Sequence, residues 1–167
     1  MSKKVLFGLM AVIFLAVAGI TGAAEPGDEI LGLWATDPDA DGGMSHVDIV
    51  KKNGKYSATI VWLIEPNYPP DDKHGMGGES KIDRYNPDDK KKEVPIIGLE
   101  IMHGFTFEGD RSWEGGKIYD PDNGKTYKSK MRLKDDGSLH VRGFIGFSLL
   151  GRTTVWTRPK TDPAAAE

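Results

Sequence analysis

The sequence predicts an all-β domain of about eight short antiparallel strands, either a sandwich or a barrel. Three observations predict it. Several segments alternate apolar and polar residues with the period of two that strands require. Glycine is frequent, at 21 of 167 residues, and no stretch sustains a helical period. Two short turn signatures, "PDNGK" and "KDDGS", sit between alternating segments and mark hairpins.

The N-terminus comes first in the chain and is not part of the domain. "MSKK" is basic, "VLFGLMAVIFLAVAGI" is continuously apolar, and "TGAAEPGDE" supplies small residues and then acid. This is the layout of a secretory signal peptide over residues 1–24, cleaved after Ala23 or Ala24. The apolar run is shorter than the roughly 20 residues a membrane span needs, so no transmembrane span is expected after cleavage. The expected location is periplasmic or secreted. Residues 25–167 then form a single domain, and losing Lys3 and Lys4 takes the formal net charge from −3 to −5. A mildly acidic protein is a poor nucleic-acid binder. There is no cysteine, so an exported fold must hold by packing alone, which favours a closed or well-covered structure.

The candidate strands follow in order: "GLWAT", "HVDIVKK", "KYSATIVWL", "GFTFEG", "WEGGKIY", "TYKSKMRLK", "SLHVRGFIG" and "GRTTVWTR". Strict alternation places Tyr56, Ala58, Ile60 and Trp62 on one face. It separates Tyr127, Met131 and Leu133 from Lys128, Lys130, Arg132 and Lys134. Three-residue turns at Asp122–Gly124 and Asp135–Gly137 predict a register in which Tyr119 faces Tyr127 and Trp113 faces Leu133. Beyond the second turn, Leu133 faces Leu139, Met131 faces Val141 and Tyr127 faces Ile145. Residues 64–95 break the pattern. They are rich in Pro, Gly, Asp and Lys and read as a solvated loop, with a short helical turn that Asn86 caps and Pro87 starts.

Gly32-Leu33-Trp34 on the first strand resembles the G-x-W of lipocalins and the wider calycins. In that pattern the Trp closes one barrel end beneath a basic residue from the last strand, a place that Arg158 would fill. A longer resemblance spans most of the domain, through "IVWL", "NPD", "IIGLEIMHGF", "WEGGKIYDPDNGKTYKSKM", "VRGFIG" and "GRTTVWTR". It is to a bacterial family of small exported proteins of unknown function with a calycin-type barrel. The Asp-rich first turn and a longer stretch before "NPD" depart from the family pattern. The resemblance implies an up-and-down, lipocalin-like antiparallel barrel and export; it supplies no catalytic residues.

The remaining chemistry is sparse. Asp37, Asp39, Asp41 and Asp48 have the spacing of an EF-hand loop, but strands rather than helices flank it, and the last ligand is not Glu. A plain turn is expected there. His46, His74, His103 and His140 form no close pair of the kind that binds zinc. No G-x-S-x-G elbow occurs, and Asp71-Asp72 lies in loop sequence. Neither metal nor cofactor is expected, nor is an enzyme. What remains is the barrel interior, with Trp34, Tyr56, Trp62, Trp113, Tyr119, Tyr127 and Met131 as candidate lining for a small apolar molecule. The alternative is an envelope-associated protein with a filled barrel, docking an anionic component on the outer basic face of Lys128, Lys130, Arg132, Lys134 and Arg142. The first consequence to check is export: N-terminal sequencing of the natural product should begin at Ala24 or Glu25, and an intact Met1 on a cytoplasmic product contradicts it.

Overall fold

The computed structural model describes residues 25–38, 43–146 and 149–160. Residues 1–24, where a signal peptide is expected, most of the Asp-rich turn and part of "GFSLLG" lie outside the described residues. Eight strands run in sequence order: β1 (Gly32–Ala35), β2 (Ser45–Lys52), β3 (Lys55–Leu63), β4 (Glu100–Gly109), β5 (Ser112–Asp120), β6 (Lys125–Leu133), β7 (Leu139–Phe144) and β8 (Gly151–Trp156). Each pairs antiparallel with the next in one eight-stranded sheet. The sheet rolls up until its two edges meet at Ala35 and Thr157, which exchange backbone hydrogen bonds of 2.8 and 3.0 Å. This is an up-and-down β-barrel. Among the described residues, helix is confined to two 3-10 turns, Asp28–Ile30 and Asp89–Lys91.

The inner faces read as the alternation requires. Val47 and Ile49 of β2, Tyr56, Ala58 and Ile60 of β3, and Met131 and Leu133 of β6 are all buried. Asp48 stays on the opposite face of β2, between two buried neighbours. The second hairpin has the predicted register, with Leu133 opposite Leu139 and Met131 opposite Val141. The Tyr127–Ile145 rung does not form. β7 ends at Phe144, opposite Lys128, and Ile145 is exposed.

The first hairpin differs from expectation at both ends. Its loop is four residues, because Asp120 pairs with Lys125, so Ile118 rather than Tyr119 stands opposite Tyr127. A bulge between Trp113 and Gly116 then shifts the register again, and Trp113 meets Met131 rather than Leu133. Gly115 takes φ +75° in this bulge, and a Cβ on Gly116 would strike the Phe105 ring. A second bulge, in the β2–β3 pair beside Val47, pairs Trp62 with His46 on the outer face. Alternation across either site therefore inverts, and Trp62 and Tyr119 leave the inner face on which the sequence placed them.

Residues 64–99 form a largely exposed excursion, as expected, but one with order of its own. Isolated bridges join Asn67 to Ser80 and Ile82 to Pro95. The Arg84 guanidinium lies 3.5 Å from the Tyr68 ring centroid and donates to both Asp72 oxygens at 2.9 and 3.3 Å. The helical turn begins at Asp89 and is capped by Asp88, one turn signal later than Asn86 and Pro87 indicated. Asn86 instead accepts from Asp88 N and donates to Asp83. The excursion packs on the β5–β6 turn: a side chain on Gly124, at φ +69°, would collide with the Tyr85 carbonyl.

Candidate functional site

The two ends of the barrel differ. At one end, Arg158 lies 4.0 Å over the Trp34 ring and donates to the Leu33 and Glu29 carbonyls at 2.8 and 2.9 Å. Trp34 in turn donates its indole N–H to the Ile30 carbonyl at 2.8 Å. The 3-10 turn carrying Asp28 plugs the same end. Lys51 Nζ reaches Glu25 and Asp28, each at 2.8 Å, and the Tyr56 hydroxyl donates to Asp28 at 2.9 Å. The hydrogen bond from Lys51 holds the Asp28 carboxyl below its usual range, and burial pushes the Tyr56 phenol up. Trp113 sits behind this plug, edge-on to Tyr56 with ring centroids 6.2 Å apart, and tilted against Phe107 at 5.2 Å.

Among the described residues the other end is open. A cavity of about 490 Å³ lies inside the barrel there. Its apolar wall is Ile118, Val141 and Trp156, with Tyr127 and Gly143 beside them. Its rim is polar: Thr36 and Asp37 after β1, Asp120 to Asn123 at the β5–β6 turn, and Arg152 and Thr154 on β8. A second basin of about 230 Å³, walled by Ile60, Leu63, Ile96 and Ile101, shares Thr36, Asp37, Pro121 and Asp122 with that rim. Two rim carboxylates are already engaged. Asp37 accepts from Val155 N at 2.8 Å, and Asp120 from Asp122 N and the Asn123 amide at 3.0 and 2.7 Å.

Of the seven aromatic and methionine side chains expected to line a pocket, the structure brings Tyr127 and Tyr119 to the cavity. Trp34, Tyr56, Trp113 and Met131 are packed in the core away from it. Trp62 stacks outside on His46, centroids 4.6 Å apart. Tyr119 touches the rim, but its hydroxyl donates to Asp83 at 2.6 Å. Asp83 is fully buried and takes a second bond, also 2.6 Å, from the Asn86 amide. Burial first, then this bond to the Asp83 carboxylate, raises the Tyr119 phenol above its usual range. The pair pins the long excursion to the barrel wall.

The sequence reading missed Ile118, Val141, Thr154 and Trp156 as lining residues. Val141, Thr154 and Trp156 alternate along adjacent strands, opposite the Arg142 and Thr153 side, so the signal was present. Ile118 was hidden by the Gly115-Gly116 bulge, for which a glycine pair inside a strand is the available sign.

The basic side chains do gather on the outer face. Lys130 stands directly across from Arg142, Lys128 across from Lys117, and Arg132 across from His140. Arg132 is paired with Asp110 at 2.8 Å. A shallow groove of about 210 Å³ runs between Glu114, Lys130, Lys134 and Arg142.

Comparison with known proteins fits this geometry. Residues 32–158 match the model of a family described as "Uncharacterized protein conserved in bacteria (DUF2147)". The chain belongs to that family. A search of curated proteins gives no match. Among solved structures, one whose title reads "Protein HP1028 from the human pathogen Helicobacter pylori belongs to the lipocalin family" aligns with a TM-score of 0.66. It is 24% identical over 81% of this chain and 86% of its own. The likeness shows a lipocalin-like fold.

The Asp83 anchor gives a direct test. Tyr119→Phe leaves a buried carboxylate one donor short, which costs about 1–3 kcal/mol in denaturant unfolding. It should also speed proteolytic nicking between residues 64 and 99. Unchanged stability and nicking would show that the excursion is held by other contacts.

Proposed function

We propose that this protein binds a small, mostly apolar molecule in the open end of its barrel, as an exported carrier or binding protein. The observation that carries the reading is the 490 Å³ cavity, apolar at its wall and polar at its rim. Ligand sites of roughly 300–1,000 Å³ have this composition, with a few polar groups fixing the orientation of a largely apolar body. A lipocalin-like fold is consistent with it. The ligand's apolar body would rest on Ile118, Val141 and Trp156, and its polar end would meet Thr36, Asp37 or Arg152 at the rim. Arg152 alternates with Thr154 and Trp156 along β8, so it belongs to the inner side. The closed end contributes stability, not contacts. No catalytic step is assigned to any residue.

Trp156 makes the test internal to the protein. An apolar fluorescent probe should bind and quench indole emission. Thr154→Phe, which projects a ring into the cavity, should weaken that binding by about tenfold or more through steric exclusion. Met131→Ala should leave it unchanged while destabilising the fold by about 2–5 kcal/mol. Probe affinity insensitive to Thr154→Phe, or abolished in a folded Met131→Ala protein, would place the site elsewhere.

A further inference from the structure

We infer that the β7–β8 turn beside the cavity mouth is a membrane-docking tip that inserts into an anionic lipid bilayer. Ile145, Leu149 and Leu150 are 68%, 89% and 72% exposed in this one turn. The other large exposed apolar residues among those described, Val50, Val61, Ile64, Tyr85, Val94 and Ile97, are only 37–48% exposed. Isolated apolar side chains need no explanation; three in one turn do. The described residues of the turn are tied to the strands and to one another. Ile145 N donates to the Leu150 carbonyl at 3.2 Å, and Arg142 reaches the Leu149 carbonyl at 3.2 Å and Thr153 Oγ1 at 2.9 Å.

The charge next to the tip names the partner. Lys128 lies across from Phe144, the last residue of β7, and Arg152 across from Gly143. Behind them, Lys117 faces Lys128, and Lys130 faces Arg142. Like charges placed directly across a ladder oppose folding. On a chain of net charge −3, such pairs suit a surface that meets anions. Apolar tips flanked by cations are what an interface of acyl chains and anionic headgroups accepts. Glu114 is the acid within the basic groove, and Asp120 and Asp122 stand on the neighbouring β5–β6 lip; they orient docking toward the β7–β8 side. Ile145 and Leu150 also line the cavity, so insertion sets the mouth against the acyl region. An apolar ligand could then pass between bilayer and barrel without crossing water.

Vesicle co-sedimentation tests the inference, using phosphatidylcholine vesicles with and without phosphatidylglycerol. The protein should bind the anionic vesicles and bind the neutral ones weakly. Combining Ile145→Ser, Leu149→Ser and Leu150→Ser should reduce binding about tenfold or more, because three exposed aliphatic side chains no longer leave water. Its melting temperature should be unchanged, since those side chains are not packed. Lys128→Glu with Lys130→Glu should weaken binding and flatten its dependence on salt. A Leu149→Trp variant should shift its emission to the blue on anionic vesicles. Absence of binding by the wild-type protein, or full binding by the tip variant, overturns the inference. Self-association lost in the tip variant, without vesicle binding, would assign the tip to a second copy of the chain instead. Cavity binding is scored separately: if the apolar probe fails to bind while vesicles still do, the carrier reading fails and the docking tip stands.

Discussion

The barrel depends on a seam closed at one place. β1 and β8 lie at opposite ends of the domain in sequence, and between them the ladder is a single bridge at Ala35 and Thr157. Two unpaired edges on one domain would invite strand addition from other chains. Arg158 supplies what the ladder lacks. Its guanidinium covers the Trp34 ring, where it gains from the negative face while part of it stays in water. Its two hydrogen bonds to Leu33 and Glu29 tie the chain's end to the 3-10 turn and to β1 together. Asp37 adds a third tie by accepting from Val155 N. With no disulfide available, these contacts and the buried aromatics behind them hold the edges together.

That constraint also explains why the cavity sits where it does. The Arg158 end is filled by Ile30, Tyr56, Phe105 and Trp113, and sealed by the Lys51, Asp28 and Tyr56 cluster. Among the described residues nothing equivalent plugs the far end, where strand termini and turns leave a rim. The long excursion does not plug it either, because Tyr119 and Asp83 clip it to the β5 side. One bulge sends Trp62 outward and the other turns Tyr119 to the rim, which leaves Ile118, Val141 and Trp156 to wall the open half. A barrel with every expected aromatic inside would be filled; this one is filled at one end and holds a cavity at the other.

Much of the fold was legible because strand faces obey a period of two and hairpins obey turn chemistry. All eight strands were readable, as were the second hairpin's register and the stacking of Arg158 on Trp34. The errors share one cause. Alternation carries information only until a bulge inserts a residue, and every side chain beyond it then changes face. Gly115-Gly116 announces one such place, whereas the bulge beside Val61 has no glycine to mark it. The excursion's exposure was legible, but its order was not, for a different reason. Its composition is that of a solvated loop, and its order comes from pairings such as Arg84 with Asp72 and Tyr119 with Asp83, which connect residues 12 and 36 positions apart. The cavity was legible only in kind: an eight-stranded barrel has room for one small ligand, but which residues border it follows from the bulges.

A barrel sealed at one end, apolar inside the other and rimmed by polar groups and an apolar tip forms one functional gradient from plug to mouth. The central claim is that the open half holds a small apolar molecule. Native mass spectrometry of the protein isolated without denaturant from its own cells tests this most directly. The account predicts a non-covalent adduct of a few hundred daltons that organic solvent extracts, absent when Thr154→Phe protein is isolated in the same way. The bare polypeptide mass in every wild-type preparation, or an adduct that persists in Thr154→Phe, would contradict it.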